Sequence, residues 1–483
     1  MNSTGPRLAS LLFSWAVLIA CVSWAVPETT RGATETRAAS SVSDHARPIL
    51  VVQAPVVAEG GLPSRFPQGS HLALLEPGTQ TPTNLTPEFF ASADPAISFD
   101  GNQVLFAALD RSEGRWQVWE MKVDGSAKRQ LTHCAGDCLR PAYLPKGHFV
   151  FTAVESDGSS QIHFADLDGT ENHPITFGPG NYQVETVLKD GRILVTADSP
   201  LTPRKAGRTL YTLRHDGTSL QSLRCDHGQA VERGEASEMP DGSVVFVKSK
   251  PGHPGGELAM IRRGEPSNST LGQFSAGTRS PRPLEPNKLL VARQAVMEGG
   301  AVSRFDLYAV NSSTGRGGEL IFRDTRLSSV QAAPVAAHEV PRWYWSTVNS
   351  KAKSGYFICL DAYHSADAPQ GRISTPISKV RALTLDPATR AERVLGEAPV
   401  ETDGSFYIAV PPDQPIRFEL LDEKNVVIRA QQSWIWSRRG EERGCVGCHE
   451  DKAVAPENRW PLTLRRFDSP TPLGTVVDVK VEE

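Results

Sequence analysis

The sequence has no excess of positive charge: 51 Lys and Arg stand against 55 Asp and Glu, a formal net charge of −4. Nucleic-acid binding driven by counterion release therefore has no electrostatic basis. Beyond the N-terminus no apolar run reaches the roughly 18 residues that cross a bilayer, which excludes a membrane-spanning body. Methionine is scarce, at five residues, and the stretch after Glu450 contains no His, Met, Cys or Tyr. No nucleophile–base pair and no phosphate loop is recognisable. With 40 Gly and 36 Pro among 483 residues, the chain is too rich in turn formers for a helical bundle. At 39% hydrophobic and 22% charged it is globular rather than disordered, and long enough for more than one domain.

The first 26 residues read as a targeting segment. Arg7 precedes an apolar stretch from Leu8, interrupted by two serines. Two processing sites follow. Leu18-Ile19-Ala20-Cys21 has the form of a lipobox with Cys21 as the lipidated residue, and Ser23-Trp24-Ala25 has the form of an ordinary cleavage site. Either predicts export to the periplasm or cell envelope. A lipid on Cys21 is then the one expected membrane attachment. Residues 27–47, rich in Thr, Ala, Ser and Arg, read as a flexible linker.

The middle of the chain repeats. Ser98-Phe99-Asp100-Gly101-Asn102 leads into Val104-Leu105-Phe106. Leu144-Pro145-Lys146-Gly147-His148 leads into Phe149-Val150-Phe151, and Lys189-Asp190-Gly191-Arg192 into Ile193-Leu194-Val195. Pro240-Asp241-Gly242-Ser243 and Glu285-Pro286-Asn287-Lys288 do the same before Val244 and Leu289. The period is about 45 residues, and a second strand ending in Asp-Gly follows in several units. Asp-Gly supplies the positive φ of a tight hairpin, and short apolar runs between such turns are buried strands. Ile49-Leu50-Val51-Val52 begins a sixth unit that lacks its leading strand; Val330 to Val340 has the composition to supply it. Residues 48–340 are thus expected to form a six-bladed β-propeller. Two stacked β-sandwiches are the alternative. The repeat resembles the WD-like units of TolB-type propellers. Glu232, Glu235 and Glu238 read as solvated loop charges.

Residues 341–465 keep strand character without the repeat. Gly355–Asp361, a hairpin over Pro399–Pro411 and an alternating Ile416–Asp422 predict a small β-sandwich-like module. Residues 466–483 read as a tail. The fold class is all-β.

The chemistry is carried by Cys445-Val446-Gly447-Cys448-His449, a CxxCH motif. Two thiols at this spacing can each add to one haem vinyl group, with His449 placed to ligate the iron from the proximal side. This predicts one covalent haem c. A disulfide, a thioredoxin-like pair and half of a zinc site compete. The βαβ context of a redox pair and a second ligand pair for zinc are both missing. A sixth ligand must come from upstream: His364 is the candidate distal ligand, with His338 further away, and otherwise the iron is five-coordinate. Trp434 and Trp436 precede the motif, and porphyrin packing and core packing both fit them. Of the other cysteines, Cys134 and Cys138 bracket a short Gly-containing loop suited to a local disulfide, two free thiols being the alternative. Nothing is assigned to Cys225 and Cys359.

The run from Val400 through Glu450, with Gln432-Ser433-Trp434-Ile435-Trp436 and the CxxCH, followed by Pro456-Glu457-Asn458-Arg459, resembles the middle domain of the hydrazine synthase alpha subunit family. The resemblance implies a propeller followed by a haem-bearing module, with Cys445 and Cys448 tethering the haem and His449 ligating it. The expected function is that of an exported monohaem c-type cytochrome that transfers electrons to a redox protein docked on the propeller. A haem enzyme acting on a small nitrogen or oxygen species and a non-redox binding module are the alternatives.

Overall fold

The computed structural model describes residues 46–55, 66–198, 207–223, 231–250, 253, 255–263, 277–295, 304–315, 317–387, 389–448 and 459–474. Within them the chain is built from small, mostly four-stranded antiparallel sheets.

Six of these sheets follow one another along residues 49–334. The second is the meander Ala91–Ile97, Gln103–Leu109, Gln117–Lys122 and Arg129–Gln130. The third, fourth, fifth and sixth begin with Cys138–Leu144, Tyr182–Val187, Glu232–Glu238 and Thr278–Glu285. The first takes its leading strand from the far end of the run: Ser328–Pro334 pairs antiparallel with Ile49–Ala54. Each leading strand contacts the next, and Ser328–Pro334 contacts both Ala91–Ile97 and Thr278–Glu285, so the sheets close into a ring. Apolar side chains seal the gaps between them. Leu105 and Val118 of the second sheet pack with Phe149 and Phe151 of the third, all fully buried. Burying each large side chain of this kind contributes about 2–3 kcal/mol.

The closing strand is shorter than the Val330–Val340 expected. Pro334 ends it, and residues 335–349 form no regular strand but run as a strap over hairpin turns of the second, third and fourth sheets. The His338 N–H bonds the Phe99 carbonyl and the Arg342 N–H the Lys189 carbonyl. Ser346 Oγ and the Thr347 N–H both donate to Asp216. Trp343 stacks between His148 and His215, with ring centroids 5.2 and 4.0 Å away. The strap explains two turn glycines: a Cβ on Gly101 would sit 2.8 Å from the Ala337 nitrogen, and one on Gly191 would run into the Arg342 carbonyl oxygen. Both also have φ above +75°.

Residues 355–472 form two four-stranded sheets. One orders Glu442–Cys445, Gly355–Cys359, Phe406–Val410 and Thr471–Pro472; the other orders Glu392–Pro399, Lys379–Leu385, Arg417–Leu421 and Val427–Ala430. Phe357, Ile408 and Val410 of the first share one core with Val380, Ala382 and Leu420 of the second, as in a sandwich. Residues 466–474, read from sequence as part of a tail, are part of this module. Thr471–Pro472 pairs parallel with Ile408–Ala409, and Leu473 is buried.

The leading strands of the ring share an irregularity that the sequence does not announce. The pairing of each sheet's first two strands is interrupted by a bulge. Asp94, Arg140, Glu235, Ser280 and Gln331 hold φ near +50° at these bulges, and Glu185 occupies the bulge of the fourth sheet. The six side chains bridge neighbouring sheets. Gln331 Oε1 accepts the Asp94 N–H, Asp94 the Arg140 N–H, Glu185 the Ala236 N–H and Glu235 the Ser280 N–H. Arg140 pairs with Glu185 at 3.0 Å, and Arg279 with Glu235 at 2.5 Å. This corrects the reading of Glu235 as a solvated loop charge. It lies on a strand with its side chain only 20% exposed. Burial alone would raise its carboxyl, but the charge and hydrogen bonds of Arg279, with the Ser280 N–H, outweigh that and hold it at about 2.

Candidate haem-attachment site

Cys445 ends the edge strand Glu442–Cys445, which pairs parallel with Gly355–Cys359. The strand places Cys445 opposite Cys359, a neighbour that sequence reasoning left unassigned. Two strands joined by the whole module give no local signal of this pairing. Beyond the strand, the turn that carries Cys448 is held by the loop after Cys359. The Leu360 N–H donates to the Cys445 carbonyl at 2.9 Å and the Asp361 N–H to the Val446 carbonyl at 3.2 Å. The Cys448 N–H donates to the His364 carbonyl at 2.9 Å. The structure thus brings His364 against the motif. His338 is on the strap, against Phe99 of the second ring sheet. His449 lies outside the described residues, as do Cys21 and Cys225.

Gly447 is dictated by this packing. A Cβ there would stand 2.3 Å from the His364 carbonyl oxygen and 2.9 Å from its Cβ.

Cys134 and Cys138 are joined in a disulfide; Cys359, Cys445 and Cys448 are thiols. Cys445 and Cys448 are half-buried and pack on the apolar core of the module, as Tyr363 and Ile373 do. Burial pushes the Cys448 thiol up to about 11, Asp367 and Cys445 adding to it and Arg429 opposing it. Burial likewise raises Cys359, with Cys445 and Cys448 reinforcing the shift. Arg372 and Arg459 converge on Asp361 at 2.6 and 3.1 Å, next to the Val446 carbonyl. Among the described residues no cluster of three or more His, Cys, Asp and Glu is arranged to hold a metal ion.

These features fit a thioether-linked haem. The two thiols are not spent on a disulfide with each other, they stand at the edge of an apolar surface, and arginines border the loop. The tryptophans are placed otherwise. Trp434 is buried with Leu383 and Leu385 under Arg417. Trp436 is fully buried between module and ring, edge-on to Phe177 and Tyr182. Both follow the core-packing alternative. Around Trp436, Arg443 donates to the Trp436 and Leu220 carbonyls at 2.6 Å, and Glu441 accepts the Ser219 N–H at 2.8 Å. These contacts seat the module on the fourth sheet of the ring.

Fold and site together define an all-β protein in which a ring of small antiparallel sheets carries a two-sheet module with a thiol pair on its edge. Residues 360–450 match the family model described as the hydrazine synthase alpha subunit middle domain. The hydrazine synthase subunit alpha of Kuenenia stuttgartiensis is 23% identical over 87% of this chain and 69% of its own length. The solved Kuenenia stuttgartiensis hydrazine synthase superposes with a TM-score of 0.75 at 21% identity, covering 87% of this chain and 71% of that one. TolB from Acinetobacter baumannii overlaps 61% of this chain and 67% of its own at a TM-score of 0.45 and 16% identity. The likeness to hydrazine synthase is one of overall fold, and its matched domain includes the CxxCH.

Proposed function

We propose that this chain is an exported monohaem c-type protein that passes electrons to a protein partner. Its two parts are read as a six-bladed propeller over residues 48–334 and a haem-bearing module over 355–474, joined by the strap that follows Pro334. Cys445 and Cys448 each form a thioether, and His449 ligates the iron. The observation that carries the reading is the pair of half-buried thiols at CxxCH spacing, not joined in a disulfide, with Cys445 on the edge strand and the Cys448 N–H held by the His364 carbonyl. Haem, once attached, supplies a one-electron store whose potential depends on its axial ligands and burial. The chain's own residues do the rest. The module core excludes water from one side of the site. Arg372 and Arg459 add positive charge at the loop edge, which favours the anionic propionates. The ring offers the rigid body on which a redox partner docks. Attachment of c-type haem takes place outside the cytoplasm, which agrees with the N-terminal segment, processed either at Cys21 or at Ala25.

The second reading, a haem enzyme acting on a small nitrogen or oxygen species, draws on the likeness to a protein named hydrazine synthase. It turns on the sixth ligand. From residue 341 onward the sequence contains no methionine, and its histidines are His364 and His449. The optical spectrum of the mature holoprotein separates the readings. Electron transfer with His364 as distal ligand predicts a low-spin iron that becomes high-spin in His364→Ala. A high-spin resting iron that shifts on adding small ligands favours the enzyme.

A further inference from the structure

We propose that Cys359 and Cys445 form a reversible disulfide in the haem-free chain, made by exchange with a disulfide oxidant and opened by a dithiol. The two residues stand opposite each other in the parallel pairing of Gly355–Cys359 with Glu442–Cys445. Neighbouring strands lie about 4.8 Å apart, within the roughly 4.4–6.8 Å between Cα atoms that a disulfide spans. The register is held at both ends. The Tyr356 N–H donates to the Glu441 carbonyl at 2.8 Å and the Leu360 N–H to the Cys445 carbonyl at 2.9 Å. Two residues back along the ladder, Phe357 is opposite Arg443, whose guanidinium carbon lies 5.8 Å from the centre of the phenyl ring. Side chains alternate along a strand, so Cys359 and Cys445 stand on the face that Phe357 and Arg443 share. Cys359 is part of the module's buried core and Cys445 packs against that core. The strand that carries Cys445 is at the edge of its sheet, so it can close on its neighbour without displacing another strand. Cys448 has no such alignment: it lies beyond the strand, on the turn whose N–H is bound to the His364 carbonyl.

In the structure all three cysteines are thiols, the reduced state of the site. Cys445, half-buried where Cys359 is buried, is the thiol an oxidant reaches first. Its sulfur gives up a proton and attacks the S–S bond of the oxidant. One thiol leaves, and a mixed disulfide remains on Cys445. The Cys359 sulfur gives up its proton, attacks the Cys445 sulfur and displaces the second thiol. One S–S bond is broken and one is formed; two electrons and two protons pass from the chain to the oxidant, which departs as two thiols. Burial raises the Cys359 thiol and makes it inert toward reagents in solution, but its target is held beside it on the ladder. A Cys445 sulfur bound in this way cannot add to a vinyl group, so the bond closes the attachment site until a dithiol opens it. That consequence rests on the proposed haem attachment; the bond itself does not.

The test is disulfide mapping of the full chain prepared without haem. The folded chain is equilibrated with mixtures of oxidised and reduced glutathione, the remaining thiols are alkylated in denaturant, and the linked peptides are identified by mass spectrometry. The expected result is a Cys359–Cys445 bond as the principal disulfide formed among Cys359, Cys445 and Cys448. It should be reversed by dithiothreitol, kept in Cys448→Ser and lost in Cys359→Ser. Should either variant fail to fold, the wild-type map decides alone. A principal bond from Cys448 to Cys445 or to Cys359, or Cys359 recovered as an alkylated thiol at every glutathione ratio, overturns the proposal. The map needs no haem, so a chain that forms the bond but never takes up haem would defeat the proposed function and leave this inference standing.

Discussion

The indole N–H of Trp436, on the two-sheet module, donates to the carbonyl of Gly217, on the fourth sheet of the ring, at 2.9 Å. Gly217 holds φ at +79°, and a Cβ there would run into the Ile175 carbonyl oxygen. The bond sits inside an apolar contact with Phe177 and Tyr182, so Trp436 serves as a plug between the two parts. Trp436→Ala is expected to destabilise the chain by about 3–5 kcal/mol, and Trp436→Phe, which loses the hydrogen bond and part of the packing, by about 1–3 kcal/mol. Urea unfolding checks both. Trp345, 80% exposed, is the control, and its alanine variant should cost under about 1 kcal/mol.

Glu235 makes the ring acid-sensitive. Its carboxyl stands at about 2 in the folded chain against 4.5 for the free group. The folded state therefore binds its proton less readily than the unfolded state. The stabilisation is complete above about pH 4.5 and is lost as pH falls toward 2. Glu235→Gln should lower stability at neutral pH and flatten its decline in acid. A urea midpoint for the variant that falls with pH as steeply as the wild type's would contradict this.

Gly447 is required by the approach of the His364 carbonyl. In Gly447→Ala the turn must move off the 359–364 loop, and Cys448 moves with it. The expected outcome is normal folding with a markedly lower yield of attached haem, read as haem-dependent peroxidase staining per chain after denaturing electrophoresis. Full attachment in this variant would show that the turn need not be held.

Cys359 faces Cys445 but is buried, and its thiol is pushed up by that burial. It should resist iodoacetamide in the folded apo-protein and react only on unfolding, whereas the half-exposed Cys445 is alkylated in the native state and Cys448, whose thiol burial also raises, reacts more slowly than Cys445. Peptide mass mapping reads the difference. Cys359→Ser should leave haem attachment intact, since the vinyl chemistry needs two thiols at CxxCH spacing.

What the sequence discloses is what is local. Asp100-Gly101 and Asp190-Gly191 mark hairpins because only certain residues tolerate their backbone, and the runs beginning at Val104 and Ile193 follow because a strand between sheets must be apolar. The CxxCH is legible for the same reason: its chemistry fixes spacing over five residues. The bulge residues were not legible. Asp94, Arg140 and Glu235 adopt positive φ because side chains from neighbouring sheets hold them there, and no nearby residue records that. The pairing of Glu442–Cys445 with Gly355–Cys359 joins segments separated by most of the module, so Cys359 looked isolated. By sequence Trp436 suits a porphyrin and a protein core equally; Phe177, Tyr182 and the Gly217 carbonyl around it, all distant in sequence, make it a core residue.

The most direct test of the account is a pyridine haemochrome assay on the protein matured in a host competent for c-type haem attachment, alongside Cys445→Ala and Cys448→Ala. The account predicts one covalent haem per chain in the wild type and loss of the two-thioether spectrum in each variant. A wild-type chain that matures without covalent haem would contradict it.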